Sequence, residues 1–163
     1  MNIQIIKVLE EQKQLISNLL QFYMYDFSEY TGHDIEPTGL FGIYPDLEKY
    51  WNDETRFPYL IRKDEKDIGF VFVRLIQTAE RNYFSIAEFF IMRKYRRKNI
   101  GRQAAVQVLD LHKGNWEIFQ MESNIPAHAF WCRVILDYTR GQFSERVENK
   151  RTIQSFDNHN SLG

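Results

Sequence analysis

Only one cysteine, Cys132, occurs in 163 residues, which permits neither an intramolecular disulfide nor a zinc site built on cysteines. No apolar run approaches the roughly 18 residues that span a bilayer. The N-terminus has no basic stretch leading into an apolar one, so a soluble, cytoplasmic chain with no membrane partner is expected. A Walker-type GxxxxGK[ST] loop is missing, as is the GxGxxG dinucleotide fingerprint. Low-complexity segments are absent too, and a composition 44% hydrophobic and 15% aromatic excludes a disordered chain. The length suits one domain and is short for two. That domain is placed at residues 1–157, with a polar tail over 158–163 expected to fray.

A net charge of −1 conceals segregation. Residues 1–60 hold ten acids against four bases, whereas residues 93–102 hold six bases (Arg93, Lys94, Arg96, Arg97, Lys98, Arg102) and no acid. If these regions wall one cleft, it could hold an anionic ligand at one end and a cationic one at the other.

Hydrophobic spacing gives the order β-α-α-β-β-β-α-β-α-β-β. "NIQIIKV" reads as an opening strand, and Leu15, Ile16, Leu19, Leu20, Tyr23 and Phe27 recur at helical spacing between Glu10 and Tyr30. Residues 31–45, with three Gly and two Pro, predict a loop, and "DLEKYWN" a short helix. "PYLIRKDEKDIGFVFVRLI" predicts a hairpin turning at "KDEKD", and "NYFSIAEFFIM" a buried third strand. A helix on Ile100, Ala104, Ala105, Val108 and Leu109 follows, then the strand "WEIFQME". "PAHAFWCRVIL" is helical with Pro126 in its first turn, and "QFSERVE" and "KRTIQSF" are closing strands. The class is α/β (α+β), a mixed sheet of about 6–7 strands flanked by about 4 helices.

Where the third strand feeds its helix, free backbone N–H groups and the positive helix end favour an anion, and phosphate is the commonest. Asn99 and Gly101 suit such a turn, since Gly takes positive φ freely and Asn is the next most tolerant.

These residues resemble a family. "FFIMRKYRRKNIGRQAA" is similar to the acyl-CoA-binding motif of the GNAT acetyltransferases, R/Q-x-x-G-x-G/A, carried here by Arg96, Asn99 and Gly101. "SNIPAHAFWCRVI" is similar to the second signature of the family, through Asn124, Ala127, Phe130 and Trp131. The resemblance is specific over residues 84–135 and implies a GNAT-like single domain that binds acetyl-CoA. It implies further that amides from Arg97 through Lys98, Asn99, Ile100 and Gly101 to Arg102 hold the CoA pyrophosphate. The backbone of Phe90, Ile91 and Met92 would pair with the pantetheine arm, and one amide there would polarise the thioester carbonyl. Asn124 would bond that arm from the facing strand. Two positions depart from the family: Asn99 replaces the first motif Gly, and Trp131 stands where many members carry a Tyr that protonates the leaving thiolate. An indole N–H is not a usable acid.

Glu88, in an otherwise apolar strand, is the candidate general base, and the strand "AEFFIM" resembles that of polyamine-type members. Tyr138 is a weak candidate acid. Tyr25, Asp26, Glu29 and Tyr30 suit a cationic amine through ion pairing and cation–π contact. His33 has no second His or Cys at ligand spacing, and no metal is expected. The expected activity is therefore N-acetyl transfer from acetyl-CoA to an amine of a small molecule or peptide. The alternative is a non-catalytic acyl-CoA-binding or sensor domain. A nucleic-acid partner is disfavoured by a pI of about 6.4, and a homodimer through the two C-terminal strands stays open.

Overall fold

The computed structural model describes residues 2–160, and the eleven predicted elements occur in the predicted order. Strand β1 (Ile3–Lys7) opens the chain, α1 (Lys13–Thr31) follows a 3-10 turn at Glu10–Gln12, and the short α2 (Lys49–Asn52) closes the long loop. Strands β2 (Arg56–Lys63), β3 (Lys66–Gln77) and β4 (Asn82–Ile91) come next. Then follow α3 (Ile100–Leu111), β5 (Asn115–Met121), α4 (Ile125–Thr139), β6 (Ser144–Glu148) and β7 (Arg151–Asp157). All seven strands join one sheet, ordered β1-β2-β3-β4-β5-β7-β6 and antiparallel except for β4 beside β5. Among the described residues no helix is long and apolar enough to cross a membrane.

Local chemistry sets the turns. Helix α1 stops at Gly32, whose φ of 70° turns its N–H back to the Ser28 carbonyl at 2.8 Å. The β2–β3 turn is tighter than the expected "KDEKD": only Asp64 and Glu65 lie outside the ladder, with φ of 46° and 65°. Two consecutive positive φ values match the twist of the flanking strands.

Alternation along the strands sorts the core into two layers. Phe70, Phe72 and Phe90 meet Ile16, Leu19 and Leu20 of α1 and Tyr50 of α2. Val71, Val73, Ile86 and Ile91 meet Ile100, Ala104 and Val108 of α3 and Trp131, Val134 and Ile135 of α4. One irregularity breaks the alternation. Phe72 pairs with Glu88 but Val73 pairs with Ile86, so Ala87 is a bulge with no partner on β3. Without it, Ile86 and Glu88 would share a face. With it, Ile86 enters the α3/α4 layer while Glu88 turns to the α1 side.

The tail expectation is corrected at its first residue. Asn158 is fully buried: its amide nitrogen donates to the carbonyls of Leu109 (2.7 Å) and His112 (3.1 Å), and its oxygen accepts from the Gly114 N–H (2.8 Å). A polar side chain that completes a buried network is part of the fold, whatever its sequence neighbours suggest. Residues 161–163 of that expectation lie outside the described residues.

Candidate active site

Strands β4 and β5 pair at a single register, Phe84↔Trp116, while β4 stays on β3 and β5 stays on β7 over their lengths. The two central strands therefore part beyond their N-terminal ends, leaving one edge of each without a strand partner. Met92 N–H bonds the Ile68 carbonyl at 2.9 Å. Alternation then sends the backbone of Phe90 and Met92 toward β3 and that of Phe89 and Ile91 toward the gap. Of the three residues expected to offer their backbone there, only Ile91 does, and Phe89 joins it. The Arg96 side chain marks this edge by donating from Nε to the Ile91 carbonyl at 2.7 Å. At the same end Gly69 faces β4 so closely that any Cβ would strike the Phe90 carbonyl.

Glu88 sits on the α1 side of this strand, half-buried among aromatic rings. Tyr44, from the loop before α2, donates to its Oε1 at 2.8 Å, and Tyr23 of α1 donates as well. Burial raises the Glu88 pKa, and the two hydroxyls pull it down without cancelling the effect. Burial, then the charge of Glu88, pushes both tyrosines well above the usual phenol range, so both remain donors. Nothing in the sequence singled out Tyr44, because its role depends on where a Gly- and Pro-rich loop returns to the sheet.

The basic stretch folds as a 3-10 turn at Arg93–Tyr95 followed by two left-handed residues, Arg97 (φ 58°) and Asn99 (φ 60°). Asn99 is the N-terminal flank of α3, as expected. Gly101 is needed for another reason than the one expected: it lies inside the first turn of α3, and a Cβ there would sit 3.2 Å from the Phe130 ring. Small size, and not positive φ, is what this position requires. Arg97 and Lys98 are exposed and form no ion pair among the described residues, and Arg102 pairs with Asp137 of α4 at 3.3 Å.

Asp26 departs from its expected part in an amine-binding wall. Its carboxylate pairs with Arg93 at 2.7 Å and with Arg96, tying α1 to the basic turn. Burial pushes its pKa up, but the hydrogen bonds from Arg96 and Arg93 outweigh this and hold it below the usual carboxylate range. Tyr25, Asp26, Glu29 and Arg93 do line one open hollow of about 350 Å³, whereas Tyr30 packs toward Phe27 with ring centroids 5.9 Å apart.

On the other wall Asn124 caps α4, its Oδ1 accepting from the Ala127 N–H at 3.2 Å. Phe130 and Trp131 pack against Phe89 with centroids at 5.7 and 5.2 Å, and Trp131 is buried. Tyr138 is corrected as a candidate acid. Two turns further along α4, its hydroxyl donates to Asp110 at 2.8 Å and accepts from Asn158, at the closed end of the sheet where β5 begins.

A profile of the acetyltransferase (GNAT) family matches residues 17–134. No curated protein matches the chain. Among solved structures, an acetyltransferase from Thermus thermophilus superposes with a TM-score of 0.71 at 15% identity, over 96% of this chain and 97% of its own. A PaiA N-acetyltransferase from Thermoplasma acidophilum, in complex with coenzyme A, gives 0.64 at 12% identity over 96% and 99%. An aminoglycoside acetyltransferase from an uncultured soil metagenomic sample, in complex with sisomicin, gives 0.60 at 14% over 81% and 86%. At these identities the likeness is one of fold.

Proposed function

The chain belongs to the GNAT acetyltransferase family, and from that premise we propose that it transfers an acetyl group from acetyl-CoA directly to an amine of a small molecule or peptide. The observation that carries this reading is the parted β4/β5 pair, with a backbone edge on one side and a tyrosine-held carboxylate on the other face of the same strand. In this reading the amides between Arg97 and Arg102, at the positive end of α3, bind the CoA pyrophosphate, and exposed Arg97 and Lys98 meet its further phosphate. The pantetheine arm lies along the free edge of β4, and an amide of Phe89 or Ile91 stabilises the oxyanion that forms on the thioester carbonyl.

The chemistry needs one base. A protonated amine gives its proton to Glu88, directly or through water, and its lone pair then attacks the carbonyl carbon. The tetrahedral intermediate collapses with cleavage of the C–S bond, the CoA thiolate departs, and the nitrogen gives its second proton to solvent, from which the thiolate can take one up. A thiol with a pKa near ~8.5 leaves as thiolate without a dedicated acid, so Trp131 is compatible with turnover. The hollow lined by Tyr25 and Glu29, with Asp26 held in its ion pairs to Arg93 and Arg96, is the proposed acceptor entrance.

Release of free thiol from acetyl-CoA in the presence of an amine panel tests the reading. Turnover with at least one amine is expected, and tight CoA binding with none would overturn it in favour of a non-catalytic acyl-CoA-binding domain. Buried Trp131, which leaves the cleft without the usual tyrosine, is the observation favouring that second reading. Trp131→Tyr separates the two: it changes an existing rate in the first and creates one in the second. CoA binding unaffected by Arg97→Glu with Lys98→Glu would count against the phosphate assignment.

A further inference from the structure

Along the flank of α4, between its core face and solvent and beside β7, three side chains of different chemistry converge. His128 and Cys132 stand four residues apart on the helix, so they share one face, and β6 brings Glu145 against them. His128 Nε2 lies 3.1 Å from the Cys132 sulfur and 3.2 Å from Glu145 Oε2, and sulfur and oxygen are 3.3 Å apart. This is a nearly equilateral triangle of one sulfur, one nitrogen and one oxygen. A tetrahedral zinc ion with ordinary bond lengths requires such a triangle to have edges of about 3.4–3.6 Å. An opening of a few tenths of an ångström, within the reach of side chains that are not closely packed, meets that requirement.

We propose that His128, Cys132 and Glu145 form a binding site for a divalent transition metal of the zinc class.

The ligand set suits that ion. A thiolate and an imidazole select a borderline metal over magnesium or calcium, and thiolate plus carboxylate neutralise its two charges. Hydrogen bonding accounts for the His128–Glu145 pair but is a poor reason for Cys132 beside it, since a thiol is a weak donor to either neighbour. Support from behind is also present. Gln154 is fully buried, donates to Glu145 Oε2 at 2.9 Å, and is locked by reciprocal amide bonds with buried Gln120 at 2.9 and 3.1 Å. Such partners fix a ligating carboxylate in place. His128 and Glu145 are 40% and 37% exposed, which leaves an entry path. On binding, the Cys132 thiol proton passes to solvent and the sulfur bonds the metal. The ion then links α4 to β6, an edge strand whose five residues are all exposed.

The test uses the full chain, stripped with a chelator and titrated with Co²⁺. A thiolate-to-metal charge-transfer band saturating at one equivalent, lost in Cys132→Ser and displaced by Zn²⁺, is expected. Zn²⁺ should raise the thermal midpoint. Glu145→Gln and His128→Ala should each weaken Zn²⁺ binding about tenfold or more, while His159→Gln leaves it unchanged. Glu145 and His128 are solvent-accessible, so these variants fold, and circular dichroism verifies it. Absence of the band at one equivalent, or Zn²⁺ affinity in the Cys132→Ser and His128→Ala proteins equal to that of the parent, overturns the site.

Discussion

His112 should make the protein acid-sensitive in a way that can be isolated. It follows α3 at the closed end of the β4/β5 pair, 8% exposed, with ring centroids 4.6 Å from Phe57 and 4.9 Å from Phe84. Its Nε2 shares a 2.8 Å hydrogen bond with Tyr59 Oη, and its carbonyl accepts from Trp116 Nε1 at 3.0 Å. Burial pushes its pKa from 6.5 down to about 4. The unfolded chain therefore takes up the proton first. Above pH 6.5 the ring is neutral in both states and stability is intact. Below it, each pH unit removes ~1.4 kcal/mol until the folded ring titrates too. At about pH 5 the loss is ~2 kcal/mol, a large share of an ordinary stability of ~5–15 kcal/mol. His112→Gln keeps a polar partner for Tyr59 but has no proton to gain. Urea unfolding of both proteins at about pH 7.5 and about pH 5 provides the assay. The variant is less stable at the higher pH because ring packing is lost, and its deficit should shrink by ~2 kcal/mol at the lower one. Other titrating groups are common to both proteins and cancel in the difference. A deficit that stays constant across the two pH values refutes the buried, neutral imidazole.

Glu88→Gln should lower kcat/KM by ~10²–10⁴-fold with little change in CoA affinity. It should also remove the acid limb of the rate profile, on which activity rises with pH through a Glu88 pKa held above the carboxylate range by burial. Gly69→Ala should cost about 3 kcal/mol or more, because the added methyl meets backbone, the Phe90 carbonyl, and not a side chain that can yield; a thermal midpoint within a degree of the parent would contradict it. Gly101→Val should cost ~1–3 kcal/mol through the Phe130 ring, and Phe130→Leu in the same chain should recover much of the loss by calorimetry. No recovery with the second change would place the conflict elsewhere.

Element order was legible in the sequence because most strands and helices bury a face with a distinct period, and the turn into α3 was legible because Asn99 stands where a left-handed residue is needed. What escaped reading depends on tertiary placement. The bulge at Ala87 is a one-residue phase shift between two strands, and "SIAEFF" reads equally well without it. Gly101 carried the right signal for a different cause, since composition does not separate a conformational need from a steric one. Asp26, a plausible amine contact by charge, turned out to serve two arginines, 67 and 70 residues later in the chain. His128, Cys132 and Glu145 escaped notice because the third of them stands on another element, brought in by the fold and not by spacing.

The single rung between Phe84 and Trp116 has a mechanical meaning. Every other boundary between neighbouring strands of the sheet is stitched along five or more rungs. The central seam is basted at one point, and one apolar layer from α3 and α4 packs against both halves. A slender guest with its own amides can finish the stitching. In the proposed reading, recognition of such a guest and completion of the sheet are one event.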